Sequence, residues 1–150
     1  MSEYLRIPSD HSSNVQEGGR LWVEPVGGII VARVRGKPTA DLIRECQNRV
    51  IALRKDTGYS RIMYDALELE RPPIEIVLTQ QVLTGDLKDS GAKIAIVVPN
   101  TSIAYLARLA FGEANHRVFY NDISAAVLWL TDHEGDLAMP DRSPLVRQGL

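Results

Sequence analysis

After Lys93, the stretch AKIAIVVP (Ala92 to Pro99) carries apolar side chains at every position, so neither face of it can be turned to water. A strand of this kind belongs at the centre of a parallel sheet with cover on both sides, and it is far too short to span a membrane. Its neighbours decide which sheet. IIVARVR (Ile29 to Arg35) alternates with period two, and RIMYDA (Arg61 to Ala66) is another short strand. Between them Thr39 caps a helix whose first turn holds Asp41. Leu42, Ile43, Cys46, Val50 and Leu53 recur on one side of that helix, with Arg44, Gln47, Asn48 and Arg54 away from them.

Pro72 and Pro73 suit a second helix start, running from Pro73 to Thr84, since neither needs an amide partner there. Asn100 or Thr101 caps a third helix, SIAYLARLAF. HRVFYNDISAAVLWL, His116 to Leu130, then reads as strand, turn and helix. From Ile29 onward strand and helix alternate four times, which specifies an α/β fold: an open, mainly parallel sheet with right-handed crossovers. LWVEPV (Leu21 to Val26) joins Ile29 through Gly27-Gly28 as a hairpin, and Pro25 places it at an edge. About five strands and about four helices are predicted, the first strand being an antiparallel edge.

The chain divides by composition into a mobile N-terminal arm (1–19), an α/β domain (20–131) and a polar C-terminal tail (132–150). The arm lacks the charged-then-apolar pattern of a signal peptide, and a single cysteine excludes an internal disulfide, so a cytoplasmic location is expected. The net charge of −2, from 17 basic and 19 acidic residues, shows no basic excess for nucleic acid.

Chemical motifs are sparse. His11, His116 and His133 stand at no metal-ligand spacing, and no cysteine pair exists. Neither G-x-S-x-G nor a glycine-rich phosphate loop occurs. Cys46 lies on an apolar helix face and is expected to be a small buried hydrophobe. Asp65 ends a strand at the sheet edge where ligands bind, but a receiver-type phosphoacceptor would need two acids after the first parallel strand and a lysine after the last. The chain has Gly36-Lys37 and Asn121-Asp122 there. Asp65 is expected instead to accept backbone hydrogen bonds in its turn. No metal, cofactor or catalytic set is predicted.

VARVRGKPTADLI, RIMYDALEL, AKIAIVVP and above all VFYNDISAAVLWL resemble the STAS family, whose fold is SpoIIAA-like. The likeness covers roughly Leu21 to Leu130, and its most specific part is the closing strand–turn–helix. There Val118 and Phe119 belong to the sheet, and Ala125, Ala126 and Trp129 pack the last helix onto it. The resemblance implies a non-enzymatic protein-interaction or regulatory domain. Regulated members carry a phosphorylatable serine where the helix after the third strand begins; this chain has Arg71-Pro72-Pro73 instead. The alternative, by likeness to Sec14-like relatives, is a small-molecule or lipid-binding domain.

Any ligand is expected at the carboxyl edge of the sheet, beside Asp65, Arg71, Asn121 and the third helix start at Asn100, Thr101 and Ser102, whose free amides face outward. A homodimer is also predicted, with an unidentified protein partner, or the polar tail after Thr131 folded back, as the other possible occupants. In the second helix Ile74, Val77, Leu78 and Val82 form one apolar stripe, while Ile76 and Leu83 stand on the opposite side. In the third, Ile103, Leu106, Ala107 and Ala110 face the sheet, and Tyr105 and Leu109 fall outside that arc. Ile76, Leu83, Tyr105 and Leu109 are therefore the expected interface. Because Arg71 to Leu78 contains no hydroxyl residue, no kinase of the anti-sigma type is expected to modify this helix start. Phosphopeptide mapping that put a phosphate on Thr79 and weakened a partner complex would contradict this.

Overall fold

The computed structural model describes residues 20–88 and 90–132. The arm at 1–19, His11, His133 and all of the polar tail but Asp132 lie outside the described residues.

β1 (Arg20–Val26) and β2 (Ile29–Arg35) form the antiparallel hairpin, with Pro25 opposite Ile30. Gly27 and Gly28 turn the chain with φ of 56° and 87°, the left-handed geometry that twists a two-residue hairpin correctly and that glycine adopts without strain. α1 (Ala40–Thr57), β3 (Arg61–Asp65), α2 (Ile74–Thr84), β4 (Lys93–Val98), α3 (Thr101–Phe111), β5 (His116–Tyr120) and α4 (Ile123–Leu130) follow, with a single 3-10 turn at Gly85–Leu87 after α2. The sheet order is β1-β2-β3-β4-β5, and every pair after the first is parallel. This is the predicted architecture.

β4, one place in from the β5 edge, is buried on both faces. Ile94, Ile96 and Val98 face the layer made by α1, α2 and α3, whereas Ala95 and Val97 face α4 with Ala126 and Leu130. α1 starts as expected, with Thr39 Oγ1 accepting from Leu42 N at 3.1 Å, and stops at Gly58 in the left-handed region. The closing unit also forms as predicted. Asp122 Oδ1 accepts from Ala125 N at 2.9 Å, Ala126 is fully buried, and the half-buried Trp129 lies 5.9 Å from the ring of Phe119. Lys93 Nζ stands 4.6 Å above the Trp129 ring and donates to its carbonyl.

Two helical faces differ from expectation. Gln47, assigned to the outer side of α1, is 1% exposed. Its Oε1 accepts from the Tyr64 hydroxyl at 3.2 Å and its Nε2 donates to Leu83 O at 3.4 Å, so one amide ties α1 to β3 and to the end of α2. α2 is turned over. Ile76, Val77, Gln80 and Thr84 face the core, and Ile74, Leu78 and Val82 face water. Burial of Gln80 and Thr84 is possible because they satisfy each other, Nε2 donating to Oγ1 at 3.0 Å.

Tyr64→Phe strands the Gln47 carbonyl oxygen in an apolar interior. Chemical denaturation is expected to show a loss of about 1–3 kcal/mol, with the circular dichroism of the folded state unchanged.

Candidate functional site

At the carboxyl edge, local structure engages most of the residues expected to hold a ligand. Asp65 Oδ1 accepts from Leu67 N at 3.1 Å, and Oδ2 lies 4.0 Å from Arg33 Nε. Arg33 and Arg35 both engage Glu68, at 3.2 and 3.0 Å. Asp65 thus closes its own turn, as its sequence context predicted. Asn100 Oδ1 caps α3 by accepting from Ile103 N at 3.0 Å, and Thr101 and Ser102 are exposed in the first turn. Asn121, in the left-handed region at φ 52°, donates from Nδ2 to Pro99 O at 3.2 Å. Arg71 and Ser102 do come together, the guanidinium donating to the hydroxyl.

Behind this edge is a feature that sequence reasoning missed. A cavity of about 90 Å³ lies between the sheet and α2, walled by Ala32, Ile96, Ile76, Val77, Leu106 and Ala110 among others. Its sequence signal is the run of small residues facing it, Ala32, Ala66, Ala107 and Ala110, but alanine on a helix or strand also means close packing, and spacing alone does not separate the two.

On the outer side of α2 the apolar surface continues onto α3. Gln81 Nε2 donates to Leu109 O at 3.1 Å and Arg71 meets Ser102, so the two helices run side by side in register. Ile74, Leu78 and Val82 on α2 and Tyr105 and Leu109 on α3 are exposed, Val82 to 77% and Tyr105 to 62%. The four expected interface residues are thereby split. Tyr105 and Leu109 are on the surface, but Ile76 packs into the core and Leu83 is half-buried. Ile76 cannot reach a partner because the inward position expected for Leu78 is its own.

Thr79, the nearest hydroxyl to the start of α2, donates to Glu75 O at 3.0 Å inside the helix. His116 Nδ1 is 2.9 Å from Ala114 O. Among the described residues no three His, Cys, Asp or Glu side chains gather as a metal site, and no helix is long and apolar enough to cross a membrane.

No family model matches the sequence, and no curated protein matches it. Solved structures do. An anti-sigma factor antagonist from Mycobacterium paratuberculosis aligns with a TM-score of 0.59 at 13% identity, over 77% of this chain and 97% of that one. An uncharacterised DUF3478-family protein with a SpoIIAA-like fold, from Shewanella loihica, gives 0.54 at 15% identity, over 78% and 97%. The anti-sigma factor antagonist SpoIIAA in its unphosphorylated form gives 0.52 at 10% identity, over 73% and 96%. The chain therefore has a SpoIIAA-like fold, as the sequence resemblance implied.

Cys46 is buried, as expected. Burial pushes its thiol from 9.0 up to about 12, with Arg49 opposing the shift and Glu45 adding to it. A thiol raised in the folded state stabilises the fold fully below its unfolded value and loses that contribution as pH rises toward the folded one. Between pH 9 and about 12 the loss amounts to about 4 kcal/mol. Burial raises Tyr64 as well, in the same direction. Stability measured by denaturant is expected to fall steadily above pH 9, less steeply in Cys46→Ala, and a thiol reagent at neutral pH is expected to react only after unfolding.

Proposed function

We propose that this protein is a non-enzymatic interaction domain of STAS type that works without a phosphorylation switch and pairs with a second copy of itself through the outer faces of α2 and α3. The observation that carries this is the contiguous surface of Ile74, Leu78, Val82, Tyr105 and Leu109. Isolated exposed apolar residues are ordinary, but five on two adjoining helices form a patch of the kind that monomers seldom leave in water. A two-fold dimer covers such a patch by self-complementarity, each copy presenting the same two helices.

Two further observations support a binding role. Two of the similar structures are anti-sigma factor antagonists, proteins named for the regulatory factor they oppose. The start of α2 offers Pro73 as its N-cap with no side-chain hydroxyl, which supports a reading without the regulated serine of the resembling family.

Light scattering is expected to give the mass of a dimer for the full chain. Val82→Glu and Leu78→Glu, each placing a charge on the patch, are expected to weaken self-association by at least about tenfold while leaving the far-ultraviolet circular dichroism unchanged. A parent chain that is monomeric at every concentration, with both variants indistinguishable from it, would overturn the proposal.

A further inference from the structure

β5 ends the sheet on the side away from the β1–β2 hairpin, and among the described residues its outer edge pairs with no strand. The register says which groups stand there. Ile94 N donates to Asn115 O and Asn121 N donates to Val98 O, both at 2.9 Å. Odd-numbered positions therefore turn their backbone groups to β4, and His116, Val118 and Tyr120 turn theirs outward. The opposite edge of the sheet carries Pro25, which cannot donate to an added strand. β5 contains no proline, so three outward N–H and C=O pairs are ready for one more strand.

Backbone groups accept any strand, and side chains choose among them. Arg117 stands beside Ala95 on the α4 side of the sheet, its guanidinium 5.7 Å from the Phe119 ring. Arg108, on α3, donates to the Tyr120 hydroxyl at 3.4 Å on the other side. Both arginines are exposed, and neither has an acidic partner among the described residues. The acids nearby are engaged, Glu113 by Lys88 at 3.2 Å and Asp122 by the first turn of α4. Val118 and Phe119 are only half-buried, which leaves apolar surface for an added strand to cover. A second β5 in that place, paired antiparallel, would put both Arg117 side chains on one face of the junction, where like charges repel. We propose that β5 is the docking edge for an extended acidic segment of a partner protein, which adds to the sheet beside it. Its backbone bonds to His116, Val118 and Tyr120, and its carboxylates meet Arg117 on one face and Arg108 on the other.

This edge contains none of the residues proposed for self-pairing, so either reading can fail alone. The test titrates the isotope-labelled full chain with the capped peptide Glu-Val-Thr-Val-Glu at low ionic strength, read by amide chemical shifts and hydrogen exchange. Saturable shifts and slowed exchange at His116, Val118 and Tyr120 are expected. The peptide Lys-Val-Thr-Val-Lys is expected to bind roughly tenfold more weakly. An acidic peptide methylated at every backbone nitrogen keeps the charge but not the donors, and is expected to lose binding. Arg108→Glu combined with Arg117→Glu is expected to reverse the preference between the two charged peptides, with circular dichroism unchanged, and Leu78→Glu to bind as the parent does. Absence of saturable shifts at the three amides, equal binding of the methylated peptide, or an unchanged charge preference in the double variant would overturn the proposal. Slow exchange of those amides in the free chain would assign the edge to the chain itself, and would overturn it as well.

Discussion

The rest of the structure depends on the burial of β4 on both faces. Ile94, Ala95, Ile96, Val97 and Val98 are each exposed by 2% or less, which no sheet with a wet face can provide. The two faces are covered unequally. Three helices lie over Ile94, Ile96 and Val98, and α4 alone lies over Ala95 and Val97. That asymmetry follows from connectivity. The three crossovers β2-α1-β3, β3-α2-β4 and β4-α3-β5 step through the sheet in one direction, so a single handedness puts all three helices on one side. Among the described residues α4 is followed by no strand, and it covers the other. Ala95 and Ala126, both fully buried, let it approach closely.

Where the single helix does not reach, charge and aromatic surface take over from aliphatic packing. Arg33 and Arg35 each stand 5.3 Å from the ring of Trp22, and both also engage Glu68. Glu68 in turn belongs to the segment that closes the carboxyl edge, where Gly36 N donates to Glu68 O and Glu70 N donates to Gly36 O, both at 2.9 Å. Short backbone pairing of this kind roofs the cavity at its outer end, which explains why the segment between β3 and α2 is ordered without helix or strand of its own.

Sequence was a good guide wherever polarity and burial agreed. The strands, the caps at Thr39 and Asn100, the inward Cys46 and the turn role of Asp65 were all legible because each obeys a local rule. α2 was misread for one reason. Its core face contains Gln80 and Thr84 and its solvent face contains Ile74, Leu78 and Val82, so hydrophobic periodicity points the wrong way. Gln47 hid for the same reason, since a buried amide with both ends bonded looks in sequence like any surface glutamine. The cavity was not legible at all, because an empty volume is a relation among side chains on six elements and no one of them records it.

The same helix differs from its neighbours in how it is held. α1 has a threonine cap, Asp41 in its first turn, Arg54 and Lys55 in its last and a left-handed glycine at its end. α3 and α4 each have a side chain that caps the first turn. α2 has only the first-turn acid, Glu75: Pro73 offers no side-chain acceptor, no basic residue closes the last turn, and Gly85 continues in right-handed helical geometry. A cap is worth about 1 kcal/mol and the charges a few tenths each, so α2 relies on tertiary packing more than the others do. That packing is itself incomplete, with a cavity beneath and apolar side chains in water above. A helix so placed is stabilised by whatever fills the space below it or covers the surface above it, because both supply the contacts that its own sequence and core leave unmade.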